Sequence, residues 1–125
     1  MSSARRTKLV AVVDDDDSLR DALPRLLKAS GLGAVSFESA EDLLSSDRLP
    51  EIACLIADVR MPGMSGLELQ AKLKAQRCPI PIIFITAHGD TKMRIQAMCD
   101  GAVEFLTKPF DNAVLLELVH AALRD

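Results

Sequence analysis

Residues 52–66 read IACLIADVRMPGMSG. The first six, Ile52 to Ala57, are an apolar run with no polar alternation. A strand covered on both faces reads that way. The run leads directly into Asp58. A Pro62-Gly63 turn follows, and Ser65 opens a helix with Glu68 at the position that completes a capping box. A carboxylate at the end of a buried strand is costly without a partner or a task, so Asp58 needs partners from elsewhere in the chain.

Upstream, Lys8 to Val13 (KLVAVV) is a second unbroken β-branched run, followed at once by Asp14, Asp15, Asp16 and Asp17. Leu19, Leu23, Leu26 and Leu27 then recur at helical spacing beside Ala22. Gly31 suits a left-handed cap after Ser30. Pro24 removes one helical donor, which predicts a kink or a first-turn placement. Gly33 to Phe37 is a short strand. Ser39 caps a helix expected to run through Ser46, with Asp42 at the capping-box position and Ala40, Leu43 and Leu44 on its apolar side.

Downstream, the helix after Ser65 draws its apolar side from Leu67, Leu69, Ala71 and Leu73. Pro79 and Pro81 break the chain before a strand over Ile82 to Thr86. A helix from about Thr91 to Cys99 is amphipathic through Ile95 and Met98, and Gly101 ends it. Ala102 to Leu106 is a fifth strand. Asn112 to Leu123 is a final helix with Leu115, Leu116, Val119, Ala122 and Leu123 as its buried stripe. Strand and helix therefore alternate five times with short connections, which specifies an α/β fold with a doubly wound parallel sheet and helices on both faces.

The totals agree with one domain over residues 1–125, residues 1–7 being a flexible tail. The chain has 125 residues and is 49% hydrophobic, enough for a core. No apolar run reaches the roughly 18 residues of a membrane span. The opening MSSARRTK lacks the apolar region of a signal peptide, so the expected location is cytoplasmic. Cys54, Cys78 and Cys99 match no zinc or CxxC spacing. Cys54 and Cys99 read as small core residues. A net charge of −3 gives no basis for direct nucleic-acid affinity. Arg5, Arg6 and Lys8 read as part of a solvated tail. Trp and Tyr are absent, which removes the usual stacking platforms.

In open α/β sheets, sites form beyond the carboxyl ends of the strands, near the point where strand order reverses. Those ends carry Asp14 and Asp15, Asp58, Thr86 and Lys108. Carboxylates about 4 Å apart repel by about 4 kcal/mol per pair at an effective dielectric near 20. Three of them need a cation, and all-oxygen ligation with open water positions suits Mg²⁺. With such a cation, an anionic phosphoryl group can approach, and Asp58 can attack phosphorus through a carboxylate oxygen. Lys108 and the Thr86 hydroxyl would stabilise charge on the transferring oxygens. Each residue alone has a plainer reading: a solvated acidic loop, a strand threonine, a surface lysine, a helix-capping aspartate. Their joint placement at successive strand ends favours the site.

The segments VVDDDDSLRDAL, LIADVRMPGMSGLEL, FITAHGD and GAVEFLTKPF resemble those of two-component response-regulator receiver domains, most closely the FixJ-type subgroup. The resemblance spans about Lys8 to Leu123. It implies a five-stranded sheet of flavodoxin-like order 2-1-3-4-5. It implies that Asp58 is the phosphoacceptor, that Asp15 binds Mg²⁺ directly and Asp14 through water, and that the backbone carbonyl of Arg60 is a further ligand. Thr86 and Lys108 match the hydroxyl and the lysine that bind the phosphoryl group. Phe105 matches the aromatic switch position, with a plain core phenylalanine as the other reading. Arg60 and His88 match positions that can tune phosphoryl lifetime in the family, with simple surface residues as the other reading. A cis Lys108-Pro109 bond is also implied. The implied role is a phospho-switch rather than a metabolic enzyme. The implied partners are a sensor histidine kinase, a second copy through the helix 4, strand 5 and helix 5 face, and a C-terminal DNA-binding output domain.

Two other readings stay open at this point. A flavodoxin-like module for a nucleotide or flavin shares the fold, but the loop after the first strand is acidic where a phosphate cradle needs glycines or hydroxyls. An aspartate-based phosphatase would use Asp58 as its nucleophile, but Arg60 stands where such enzymes carry a second acid.

Overall fold

The computed structural model describes residues 9–87 and 91–124. The five strands are β1 (Leu9–Val13), β2 (Gly33–Phe37), β3 (Ile52–Asp58), β4 (Ile82–Thr86) and β5 (Glu104–Thr107). The five helices are α1 (Asp17–Ala29), α2 (Ala40–Leu44), α3 (Gly66–Ala75), α4 (Thr91–Cys99) and α5 (Asn112–Leu123). The sheet is parallel throughout, in the order β2-β1-β3-β4-β5. Order reverses between β1 and β3, so the ends of these two strands flank the crevice expected to hold a site.

The unbroken apolar runs are explained by two cores. One packs Leu9, Ala11, Val13, Leu55 and Ala57 with α2, α3 and α4 residues including Leu43, Leu69, Leu73 and Ala97. The other packs Val10, Val12, Cys54 and Ile56 with Leu23 and Leu27 of α1 and with Leu115, Val119 and Leu123 of α5. Each leucine fully buried this way contributes roughly 1.5–3 kcal/mol. Alternate residues of one strand thus feed opposite cores, and neither face of the sheet needs polar residues.

Capping matches the sequence in three places. Ser39 accepts from the Asp42 amide, Ser65 and Glu68 form a complete capping box, and Gly31 follows α1 with φ +87°. Only a residue without a Cβ takes that φ at little cost.

Several expectations are corrected. α2 stops at Leu44 instead of Ser46: the Ser45 hydroxyl bonds back to the Glu41 carbonyl, and the Ser46 amide bonds Leu43, which tightens the last turn. Of the two alternatives for Pro24, the first-turn placement is overturned: it lies in the interior of α1, and the helix runs through it. β5 begins at Glu104 instead of Ala102, because the Ala102 amide closes the end of α4 on the Ala97 carbonyl. Ala71 is exposed, and α3 buries Gln70 instead. Ile95 and Met98 lie on the outer side of α4, 57% and 38% exposed, and Ala97 is the residue that α4 buries. Cys99 is exposed rather than a core residue, whereas Cys54 is buried as expected.

Candidate functional site

The rim is built from the strand ends upward. Asp14 follows β1 and is fully buried, and Asp58 ends β3 and is nearly so. Asp15 is exposed. Carboxylate oxygens of Asp14, Asp15 and Asp58 all lie within 4.8 Å of one another. Lys108 Nζ donates to Asp14 Oδ2 and to Asp58 Oδ2, each at 3.2 Å. The second oxygen of each buried carboxylate accepts a backbone amide two residues on: Asp16 N to Asp14 at 2.9 Å and Arg60 N to Asp58 at 3.0 Å. Both acids are therefore fixed by a main-chain turn on one oxygen and by a shared ammonium on the other.

The electrostatics follow. Burial pushes the Asp14 carboxyl above its usual range, and the Asp58 charge adds to this; the Asp16 amide and Lys108 oppose it without cancelling it. For Lys108, burial pulls the ammonium down, but attraction to Asp14 and Asp58 and its bonds to both outweigh that and hold it above its usual range. One ammonium pairs with the two buried acids, and the exposed Asp15 adds a third carboxylate, so a surplus of negative charge remains at the rim.

Thr86 ends β4 and is buried. Its carbonyl accepts the Lys108 amide at 2.7 Å, so main-chain bonding ties the lysine-bearing segment to the end of β4. Lys108-Pro109 is cis. Phe105 is buried in β5 beside Phe84 of β4, with ring centroids 6.3 Å apart and planes tilted by 49°. Arg60 is exposed, and its guanidinium lies 3.7 Å from the Met93 sulfur of α4. His88 lies outside the described residues. The structure thus brings Asp14, Asp15, Asp58 and Lys108 together, sets Thr86 on the neighbouring strand end, and places Phe105 in the core beneath.

Three contributors were not singled out from the sequence. Asp16 caps α1 by accepting the Ser18 amide at 2.8 Å. Gly66 begins α3 against β3: its amide donates to the Val59 carbonyl at 2.8 Å. A Cβ there would collide with the Asp58 carbonyl oxygen and come within 2.9 Å of Val59 Cα and 3.0 Å of Phe84 Cε1. Arg20 of α1 donates from Nη1 to the Asp14 carbonyl at 2.9 Å. Only the spacing of Arg20 three residues after Asp17 hints at such a role.

This rim fits a hard divalent cation. The donors are all oxygen, they converge, and their charge exceeds what Lys108 neutralises.

The model of the response regulator receiver domain matches residues 10–120. The chain belongs to that family. It is 46% identical over 121 residues to nodulation protein W of Bradyrhizobium diazoefficiens, covering 97% of this chain and 53% of that protein. It is 43% identical over 117 residues to the transcriptional regulatory protein FixJ of the same organism, covering 92% and 56%. The chain therefore spans about half the length of the curated relatives it matches. Among solved structures, the response regulator StyR aligns with a TM-score of 0.87 at 48% identity, over 94% of this chain and 60% of that one. FixJ-N aligns with a TM-score of 0.83 at 38% identity, over 93% of each. The FixJ-type likeness and the strand order expected from the sequence both hold. The chain is a receiver domain of the two-component type, and the nucleotide or flavin module is not favoured. Asp16 already caps the N-terminus of α1, and its carboxylate accepts the Ser18 amide where a phosphate cradle would have to form.

Proposed function

We propose that Asp58 accepts a phosphoryl group from a sensor histidine kinase in a Mg²⁺-dependent reaction. The observation that carries this reading is a nearly buried Asp58 whose Oδ2 is 3.2 Å from Lys108 Nζ, in a rim shared with Asp14 and Asp15. A carboxylate oxygen of Asp58 forms a bond to phosphorus as the bond between phosphorus and the donor histidine nitrogen breaks, leaving an acyl phosphate and a neutral imidazole once a proton is taken up. Asp14, Asp15, Asp58 and the carbonyl of Arg60 would hold the cation, which when bound neutralises phosphoryl oxygens. Lys108 supplies a positive charge at the same oxygens, and the Thr86 hydroxyl a hydrogen bond. The chain turns over no separate substrate; the phosphoryl group is a signal carried on its own side chain.

In this reading the signal passes from Thr86 to Phe105, and then to the face of α4, β5 and α5. Support comes from the buried Phe105 and from the exposed apolar residues Ile95, Met98 and Val114 on α4 and α5. That face pairs with a second copy or with an output domain. Because FixJ is named a transcriptional regulator, a DNA-binding output is the proposed one. Arg60, two residues after Asp58, and His88 would set the lifetime of the acyl phosphate.

The test is labelling by acetyl phosphate, with and without Mg²⁺, in wild type and Asp58→Asn. Label should require both Asp58 and Mg²⁺. Labelling of Asp58→Asn at the wild-type rate would sink the assignment.

A further inference from the structure

Arg20 is the least exposed ion-paired arginine among the described residues, its side chain 16% exposed. It lies on α1, one turn past the acidic loop, and both of its Nη nitrogens are engaged. Nη1 donates to the Asp14 backbone carbonyl at 2.9 Å. Nη2 pairs with Asp17 of the first turn and approaches Glu38, in the connection after β2, at 3.6 Å. A single side chain thus ties the peptide leaving β1 to the start of α1 and to the next loop. The peptide it grips joins Asp14 to Asp15, the two acids that β1 contributes to the rim.

Taking the acidic rim as a divalent-cation site, on which this depends, we propose that Arg20 is a positioning residue for that site. Its grip on the Asp14 carbonyl sets the direction of the Asp14–Asp15 peptide and so aims both carboxylates. Arg20 bonds the Asp14 main chain and pairs with Asp17 and Glu38, so it would act on the rim carboxylates through the backbone. Outer partners that orient ligands are commonly worth 10–100-fold in metal affinity.

Charge alone predicts the opposite sign. Arg20 is a fixed cation beside a cation site, so removing it should strengthen divalent binding by relieving repulsion. A positioning role weakens binding despite that relief. Arg25 supplies the control: it lies on the same helix, is well exposed, and pairs with Asp21 at 2.9 Å without touching the loop. Arg25→Met removes the same charge and leaves the grip intact.

The experiment is calorimetric titration of the unphosphorylated chain with MgCl₂ at fixed ionic strength, with no phosphodonor, for wild type, Arg20→Met, Arg20→Lys and Arg25→Met. Urea unfolding of each variant establishes that it is folded. Arg20→Met should raise the Mg²⁺ dissociation constant about tenfold. Arg20→Lys keeps the charge but loses the planar fork, and should fall between wild type and Arg20→Met. Arg25→Met should bind as wild type or slightly tighter. If Arg20→Met fails to fold, Arg20→Lys decides: weaker binding supports the role, and unchanged binding overturns it. Wild-type binding with unchanged or tighter binding by folded Arg20→Met overturns the role while leaving the cation site standing. Absence of Mg²⁺ binding by wild type overturns the cation site and this role with it.

Discussion

The two flanks of the sheet are held in different ways. On the first, α1 buries Leu23 and Leu27 against Val10, Val12 and Cys54, and its N-terminus is locked by Asp16 and Arg20. On the other, α4 buries Ala97 and leaves Ile95 and Met98 to solvent. Polar and weak contacts supplement that small apolar anchor. Gln70 Nε2 donates to the Ala97 carbonyl at 3.1 Å, the Arg60 guanidinium rests near Met93, and Arg94 approaches Glu104 at 3.6 Å. The Gln70 Oε1 atom is buried without a hydrogen-bond partner, so even the best of these contacts is incompletely satisfied. The difference teaches where the fold keeps its stability and where it keeps its freedom. Elements that shift in a switch are drawn from the weakly buried end of the range. By this measure α1 is the more firmly anchored helix and α4 the one held by less burial.

The widest separation is expected in thiol chemistry, because each flank carries a cysteine. Cys54 is buried in the core that α1 and α5 cover, and burial pushes its thiol up to about 12 although the Leu55 amide pulls the other way. Cys99 is exposed at the end of α4. At pH 8 iodoacetamide should modify Cys99 at least about 10³-fold faster than Cys54, whose reaction waits for unfolding. Comparable rates, read by peptide mass spectrometry, would break the contrast. The pH dependence has a definite sign. The folded thiol sits above its ordinary value of 9.0, so its contribution to stability is fully present below that value. It is lost as pH rises from there toward 12. Urea midpoints of wild type and Cys54→Ala should therefore differ by a constant amount below pH 9.0, then shift against wild type above it.

Next in size is Leu27→Ala, expected to cost about 3 kcal/mol in urea unfolding, as a buried leucine lost from a packed core does. Ile95→Ala, on the outer side of α4, should stay within about 0.5 kcal/mol. Equal costs would mean that α4 is anchored as firmly as α1. At the rim between the flanks, Asp14→Asn should stabilise the cation-free protein by on the order of 1 kcal/mol, since it removes a buried like charge beside Asp58, and it should abolish Mg²⁺ binding. The raised Asp14 pKa means that its contribution is favourable at low pH and is lost as pH rises from 3.8 through the folded value. The advantage of Asn over Asp should therefore grow over that rise. The smallest contrast is in hydrogen exchange, where amides of α4 should exchange about tenfold faster than those of α1.

The strands were legible because a strand buried on both faces has an unbroken apolar sequence, and Val10 to Val13 and Ile52 to Ala57 leave little else to read. The rim was legible because chemistry in such sheets is confined to strand ends, so Asp14, Asp58, Thr86 and Lys108 could be found by position. What escaped was decided by tertiary contact. The apolar pair Ile95 and Met98 marks one side of α4 but not whether that side faces the core, and here the small Ala97 takes the core. Gln70 is buried on α3 where Ala71 was expected, because its amide reaches an α4 carbonyl that no local pattern reveals. Arg20 reads as a surface arginine until its grip on the Asp14 carbonyl is seen.

Gly66 has a mechanical consequence. With no side chain there, the start of α3 rests directly on the Asp58 and Val59 backbone. In an engineer's terms it is an abutment: a part that bears load because it has nowhere to slide. Under the proposed chemistry, a push generated at Asp58 would meet α3 on one side and, on the other, the loop whose Asp14 carbonyl Arg20 holds. If the proposed phosphoryl transfer takes place, the compliant direction is the one left, toward β4, β5 and α4, because a single methyl group would not fit between α3 and the Asp58 backbone.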